Sequence, residues 1–303
     1  MRPVVIIGAN GQDGRLLAHH LEDSGADIIK VTREGFDLLN REAVRSFIHE
    51  QQPSEVYYLA AYHHSSEEQT GNDEAELFRR SYEVHVLGLV EVLEAIRLTS
   101  PETRLFYAAS SRVFGQPLVS PQDESTPLMP SCAYGITKTA GVNCCRYYRA
   151  QHGIFASTGF LYNHESTLRQ EKFVSQKIVR AAIRIAKNSG EKLSLGDLSA
   201  AIDWGYAPDF VEAMRRILAL PASDDFVIAT GETHTVQELV EIAFSRLSLD
   251  WREHVVESPA LVPKRGTAVV GNATKLRETT GWTPTVSFKQ MIETLVDTQR
   301  DAS

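Results

Sequence analysis

Tyr134-Gly135-Ile136-Thr137-Lys138 places a phenol and an ammonium four residues apart, a spacing that puts both on one face of a helix. A phenol beside positive charge ionises more readily than a free one, which makes it usable for moving an alcohol proton. Tyr-x-x-x-Lys arises by chance on many solvated helices, so the pair needs company. Ala109-Ser110-Ser111 supplies it, directly after the apolar run Arg104–Ala108. With that run as a parallel strand, Ser110 stands at the carboxyl end, where such sheets place reactive groups. The three residues describe one operation. Ser110 orients a hydroxyl, Tyr134 moves its proton, and Lys138 with a nearby nicotinamide cation lowers the phenol's pKa.

Removing an alcohol proton is productive when a hydride leaves the same carbon, and the N-terminus offers a place for its acceptor. Gly8-Ala9-Asn10-Gly11-Gln12-Asp13-Gly14 follows the run Val4–Ile7 and precedes apolar residues at helical spacing from Leu16 to Leu21. Glycines at a strand–helix junction let the backbone approach a pyrophosphate, and the helix N–H groups face it. A ligand-free turn is the plainer reading, and the position at the first strand–helix junction argues against it. An NAD site usually ends its second strand on Asp or Glu, about 20 residues past the glycines. Here the strand ends Val31-Thr32-Arg33. Thr32 is not acidic and Arg33 suits a 2′-phosphate, so NADP is the expected cofactor. NAD is the alternative that Glu34 keeps open.

The elements that must position these groups alternate along the chain. Strands are expected at Val4–Ile7, Asp27–Val31, Glu55–Leu59 and Arg104–Ala108, and helices at Leu16–Leu21, Arg41–Glu50 and Tyr82–Leu98. That order predicts an α/β fold, a Rossmann-type doubly wound parallel sheet. After residue 160 the rhythm loosens. Helices are expected at Phe173–Lys187, Asp209–Leu218, Val236–Leu247 and Phe288–Thr298, with strands at Lys192–Leu195 and Asp225–Ala229. The expected organisation is a Rossmann domain over residues 1–165, to which later segments return, and a smaller α/β substrate-binding domain over 166–303.

Composition narrows the partners. A formal net charge of −8 over 303 residues offers no basic footprint for nucleic acid. No window approaches the roughly 20 apolar residues that span a bilayer, and the apolar start Met1–Gly8 is too short for the core of a signal peptide. Cys132, Cys144 and Cys145 form neither a disulfide framework nor zinc spacing, so no metal is expected. A cytoplasmic protein fits best.

Taken together, Gly8 to Gly14, Ser110, Tyr134 and Lys138 resemble the extended short-chain dehydrogenase/reductases, and more closely the GDP-mannose 4,6-dehydratases. The closer likeness rests on Gly11-Gln12-Asp13-Gly14, Tyr162-Asn163-His164-Glu165-Ser166, Asp203-Trp204-Gly205-Tyr206-Ala207, Phe210-Val211-Glu212-Ala213-Met214, Asp225 to Glu232 and Gly281-Trp282-Thr283-Pro284. The resemblance implies cofactor contacts from Gly8, Asn10, Gly11, Gln12, Asp13, Gly14, Arg33, Asp37 and Leu38. Leu59, Ala60 and Ala61 would line the nicotinamide side with Tyr134 and Lys138, and His164 and Arg169 would close over the cofactor. Asn163 and Lys177, with Ser110 and Arg112, would meet a nucleoside-diphosphate sugar, a GDP-hexose by resemblance. For His164 a core histidine, and for Lys177 a solvated helix residue, is the plainer reading of the residues alone.

Departures from the family pattern bear on the reaction. The dehydratases carry Thr-Ser-Glu after the fourth strand, the Glu taking the C5 proton as water leaves. This chain reads Ser110-Ser111-Arg112, and an Arg that never deprotonates cannot serve as that base. Asp123 or Glu124 is a candidate replacement. The family's Arg before Asp-Trp-Gly is Ile202, and its C-terminal Arg-Pro is Val262-Pro263, followed by Lys264 and Arg265. The expected activity is therefore NADP-dependent oxidation at sugar C4. Its outcome is a 4,6-dehydration, or else a 4-epimerase, 4-dehydrogenase or 4-keto reductase reaction; a catalytically silent dinucleotide-binding protein is the third reading. A homodimer or homotetramer is expected, with Tyr82–Leu98 and Ala133–Arg149 pairing two protomers.

Overall fold

A computed structural model describes residues 2–62, 73–188, 190–258 and 269–301. The first half runs β1 (Val4–Ile7), α1 (Gln12–Asp23), β2 (Ile28–Val31), α2 (Arg41–Gln51), β3 (Glu55–Tyr58), α3 (Glu74–Tyr82), α4 (Gly88–Thr99), β4 (Arg104–Ala108), α5 (Ala133–His152) and β5 (Ala156–Leu161). The second runs β6 (Asn163–Glu165), α6 (Val174–Ala186), β7 (Leu193–Leu195), β8 (Ala201–Tyr206), α7 (Ala207–Leu218), β9 (Asp225–Ile228), β10 (Thr233–Thr235), α8 (Val236–Ser245), β11 (Val255–Glu257), α9 (Thr274–Thr280) and α10 (Phe288–Asp301).

β1, β5 and β9 are buried along their whole length, as strands covered on both faces must be. They belong to a six-stranded sheet in the order β2-β1-β3-β4-β5-β9, every pair parallel. The expected Rossmann-type sheet is therefore present. Strand order reverses between β1 and β3, and ligands of such sheets bind in the crevice outside the strand ends at that reversal. The loops after β1 and β3 both open there.

Two apolar cores lie among the described residues. The larger contains the sheet, α1, α4, α7, Leu276 and Trp282. The smaller gathers Ile178 to Ile185 of α6, Leu239 to Phe244 of α8 and Met291 to Val296 of α10 around Trp204. Beside it lie a three-stranded sheet, β10-β8-β6, and the parallel pair β11-β7.

Besides adding β6, β8, β10, β11 and α9, which local patterning does not predict, the structure departs from expectation in two places within the larger core. Tyr82–Leu98 is not one regular helix: α3 already begins at Glu74, and a π-helical turn, Glu83–Leu87, separates it from α4. Central strand β5 went unrecognised because Ser157, Thr158 and Gly159 interrupt its apolar pattern. All three are buried, and a Cβ on Gly159 would stand 2.5 Å from the Phe106 ring. Here packing space, rather than hydrophobicity, selects the residue.

Candidate active site

The glycine loop is shaped by close approach. Gly8 has φ +90°, and a Cβ there would lie 2.7 Å from the Ala60 amide nitrogen. On Gly14 a Cβ would lie 2.5 Å from the Gly8 carbonyl oxygen. Gly8 thus brings β1's loop against the loop after β3, and Gly14 lets α1 pack onto it. Between them Asn10 and Gly11 form an exposed crest, and Gly11 caps α1 without a side-chain hydrogen bond. This is a backbone cradle open to an anion at a helix N-terminus, and it fits a dinucleotide pyrophosphate.

Gln12 and Asp13, expected at the cofactor, fasten the loop to the segment after β5. Gln12 Nε2 donates to the His164 carbonyl at 3.2 Å, and Ser166 Oγ donates to Gln12 Oε1 at 2.9 Å. His164 Nε2 lies 3.0 Å from Asp13 Oδ1, and its Nδ1 lies 2.6 Å from the Tyr162 carbonyl. Both ring nitrogens therefore donate, which defines an imidazolium. Burial pushes the Asp13 carboxyl up, but the His164 charge and hydrogen bond outweigh it and hold the group at about 2. For His164 burial acts downward and Asp13 upward, leaving it above the ordinary range. The ring also stacks on Phe210 at 4.6 Å. His164 is thus the far half of a clamp on the glycine loop.

Arg33 is exposed in the turn after β2. The Asp37 carboxylate accepts the Leu39 amide at 3.0 Å, and Leu38 packs partly buried against the larger core. Leu59, Ala60 and Ala61 follow β3 at the reversal point.

Ser110 follows β4, and its Oγ accepts the Arg112 amide at 3.2 Å. Arg112 itself is exposed. Lys138 is 1% exposed; its Nζ donates to the Ala108 carbonyl at 2.6 Å and sits 4.8 Å over the Tyr107 ring and 5.8 Å over that of Tyr134. α5 and the end of β4 thus bring Ser110, Tyr134 and Lys138 to one place. Burial lowers the Lys138 ammonium to about 7. Burial also raises Tyr134 above the ordinary phenol value, with Arg169 and Arg112 acting against it. Two arginines thus ease ionisation of the phenol, and the Lys138 ammonium, within 5.8 Å of its ring, also donates to the strand.

Arg169 stacks its guanidinium 3.6 Å over Phe173 and lies 3.6 Å from Glu165. Its buried Nε makes no hydrogen bond among the described residues and faces the Glu165 carboxylate at 3.6 Å. Asn163 lies in β6 and Lys177 in α6, both half-buried. Ile202 packs against the smaller core. Val262, Pro263, Lys264 and Arg265 lie outside the described residues.

Neither acid considered as a replacement base is free for that work. Asp123 caps its own turn, accepting Ser125 Oγ at 2.7 Å. Glu124 accepts the Val227 amide of edge strand β9 at 2.7 Å. A neighbour of Tyr134 that spacing gave no sign of is His85, whose ring meets the phenol edge-on at 5.2 Å.

A Rossmann sheet joined to a second, smaller core, with Ser, Tyr and Lys gathered at the end of β4, defines an extended short-chain dehydrogenase/reductase. Within that class the chain belongs to the GDP-mannose 4,6-dehydratase family, whose model matches residues 30–295, and it is a nucleotide-sugar enzyme of that kind. GDP-mannose 4,6 dehydratase 2 of Arabidopsis thaliana is 34% identical over 97% of this chain and 85% of its own. The GDP-mannose 4,6-dehydratase of Sinorhizobium fredii is 32% identical over 95% and 93%. Among solved structures, RMD from Pseudomonas aeruginosa complexed with NADPH superposes with a TM-score of 0.86 at 20% identity, covering 100% of both chains.

Proposed function

We propose that this enzyme binds NADP and a nucleoside-diphosphate hexose and carries out oxidation or reduction at sugar C4 without eliminating water. The observation that carries this is the pairing of an assembled Ser110–Tyr134–Lys138 group with Arg112 where an elimination base would stand. Arg cannot accept the C5 proton, and Asp123 and Glu124 are held elsewhere.

The Gly8–Gly14 cradle and α1 would hold the pyrophosphate, with Arg33 on the 2′-phosphate, Asp37 and Leu38 near the adenine, and Leu59, Ala60 and Ala61 beside the nicotinamide. NADP supplies a hydride acceptor or donor when bound; NAD is the alternative. Ser110 orients the C4 oxygen and Tyr134 exchanges a proton with it. Burial favours the protonated phenol, the form that gives its proton to a C4 carbonyl when the reaction runs towards the alcohol. The same residues also serve a 4-epimerase or 4-dehydrogenase. Asn163, Lys177 and Arg112 would meet the substrate, with the part of the chain beyond residue 165 supplying most of its binding site. We also assign the protein to the cytoplasm, as a homodimer or homotetramer.

A second reading, 4,6-dehydration of GDP-mannose, is favoured by the family match over residues 30–295. Mass spectrometry of GDP-mannose incubated with enzyme and NADP separates the two. Loss of one water overturns the first reading. A loss of two hydrogens with NADP reduced, or an unchanged mass with NADPH consumed on a GDP-4-keto-hexose, supports it. Catalytic silence, the third reading, requires that Tyr134→Phe change no measurable function.

A further inference from the structure

Tyr58 and Tyr107, neighbours on β3 and β4 with ring centroids 6.0 Å apart, send their hydroxyls into the π turn. Tyr58 Oη donates to the Val84 carbonyl at 2.6 Å and Tyr107 Oη to the His85 carbonyl at 3.2 Å. Glycines make the room: a Cβ on Gly88 would lie 2.8 Å from Tyr58 Oη, and one on Gly141 would lie 2.2 Å from Tyr107 Oη. Carbonyls displaced from the regular helical ladder are thus satisfied from the sheet. A π turn so supported is a built feature, and such turns recur at functional sites.

The turn delivers His85, fully buried, to the phenol of Tyr134. Its hydrogen bonds set its protonation. The Tyr62 amide donates to His85 Nε2 at 3.0 Å, so Nε2 carries no proton. Nδ1 lies 2.8 Å from Thr137 Oγ1. Thr137 Oγ1 in turn donates to the Ala133 carbonyl at 3.0 Å or the Tyr134 carbonyl at 3.1 Å, so it accepts from Nδ1–H. The direction of the whole chain, from Tyr62 through His85 and Thr137 to the first turn of α5, follows from backbone groups that can act in one sense only.

We propose that His85, as a neutral Nδ1–H imidazole, is the positioning residue for Tyr134, tying α5's first turn to the loop after β3 so that phenol and cofactor side keep one separation. This rests on the reading of Tyr134 as the proton-transfer residue. Spacing alone gives no hint of it, because His85 and Thr137 meet only through the fold.

The test has an arm without sugar and an arm with it. Nitrogen-15 NMR of labelled histidine shows His85 neutral with the proton on Nδ1, and the Tyr62 amide exchanges slowly. His85→Phe keeps a ring against Tyr134 but cuts both hydrogen bonds, and it exposes that amide to fast exchange. In the kinetic arm, His85→Phe and Thr137→Val each lower kcat about 10²-fold, the scale of a misplaced reacting group, while KM and NADPH affinity stay unchanged. His85→Gln, which can accept from Tyr62 and donate to Thr137, recovers most of the loss. An Nε2–H tautomer, or slow Tyr62 exchange in His85→Phe, overturns the network. In variants that keep the wild-type fold, unchanged kcat, or a loss carried by KM, overturns the positioning role. Thr137→Val guards against misfolding, since it conserves shape. Wild-type enzyme that turns over no nucleotide sugar, with tautomer and exchange as expected, overturns the proposed reaction and upholds the network.

Discussion

Lys138 shows how much a single residue can be asked to bear. Its ammonium is enclosed, with one backbone carbonyl at hydrogen-bonding distance, and burial lowers its pKa from 10.5 to about 7. The folded state therefore releases this proton below the value of the unfolded chain. Between pH 7 and 10.5 the unfolded chain binds more protons, so stability from this group rises with pH, and below 7 its full cost is felt. Lys138→Met should stabilise the fold at pH 6 by at least about 1.4 kcal/mol, the worth of one pKa unit. Denaturant midpoints of the two proteins should converge as pH approaches 10. Activity should move the opposite way. Tyr134→Phe, which removes the proton and leaves the ring, should cut turnover by roughly 10³-fold with little change in the melting curve, measured by NADPH absorbance and calorimetry.

The glycine loop is secured by two devices that truncation should separate. Gly8→Ala forces a side chain into a φ of +90° and into the Ala60 backbone. A cost of about 1–3 kcal/mol and loss of NADPH binding by fluorescence titration are expected together, because strain and cradle are the same atoms. The Asp13–His164 pair is the second device. Leaving one charge of a fully buried pair unmatched costs about 3–5 kcal/mol; Asp13 keeps some contact with solvent, so His164→Ala should destabilise by less than that, read as the loss of denaturant midpoint. Its pH window follows from both partners. Asp13, depressed from 3.8 to about 2, contributes above pH 3.8 and fails as pH falls through 2. His164, raised from 6.5, contributes fully below 6.5 and fails as pH climbs past its folded value. The clamp is therefore strongest between about pH 4 and 6.5, and the difference between wild type and His164→Ala should peak there.

Across the whole molecule, the connection from the larger core to the smaller is held at Asp209. Its carboxylate accepts Thr285 N at 2.9 Å and Thr285 Oγ1 at 2.6 Å, while its carbonyl accepts Trp282 Nε1 at 2.8 Å. The Gly281-Trp282-Thr283-Pro284 segment, noticed as a resemblance, thus has a structural office: it clasps the chain to α7 on its way into α10. Asp209→Ala keeps the carbonyl bonded by Trp282 but leaves the Thr285 amide and hydroxyl without their acceptor, each part-buried donor costing up to about 1–3 kcal/mol. Calorimetry should show a lower melting temperature and a broader, less cooperative transition. Among the described residues no helix is long and apolar enough to cross a membrane, and no cluster of metal-binding side chains occurs.

Much of the sheet was readable in advance because parallel strands buried on both faces must be apolar runs, as Val4–Ile7 and, after its leading Arg104, the strand to Ala108 are. The glycine loop and the Tyr134–Lys138 pair were readable because their chemistry depends on local spacing. β5 escaped, since its Ser157, Thr158 and Gly159 answer to Phe106 and the neighbouring strands. The π turn escaped for the same kind of reason, its carbonyls being met by Tyr58 and Tyr107 from the sheet. By itself, then, the sequence determined the fold class and the local spacing of the glycine loop and of the Tyr134–Lys138 pair. Tertiary structure alone decided that His164 pairs with Asp13, that Lys138 faces a carbonyl and that His85 stands behind Tyr134. Each of those is a contact between residues far apart in the chain, and its energy depends on burial and geometry that no local spacing encodes.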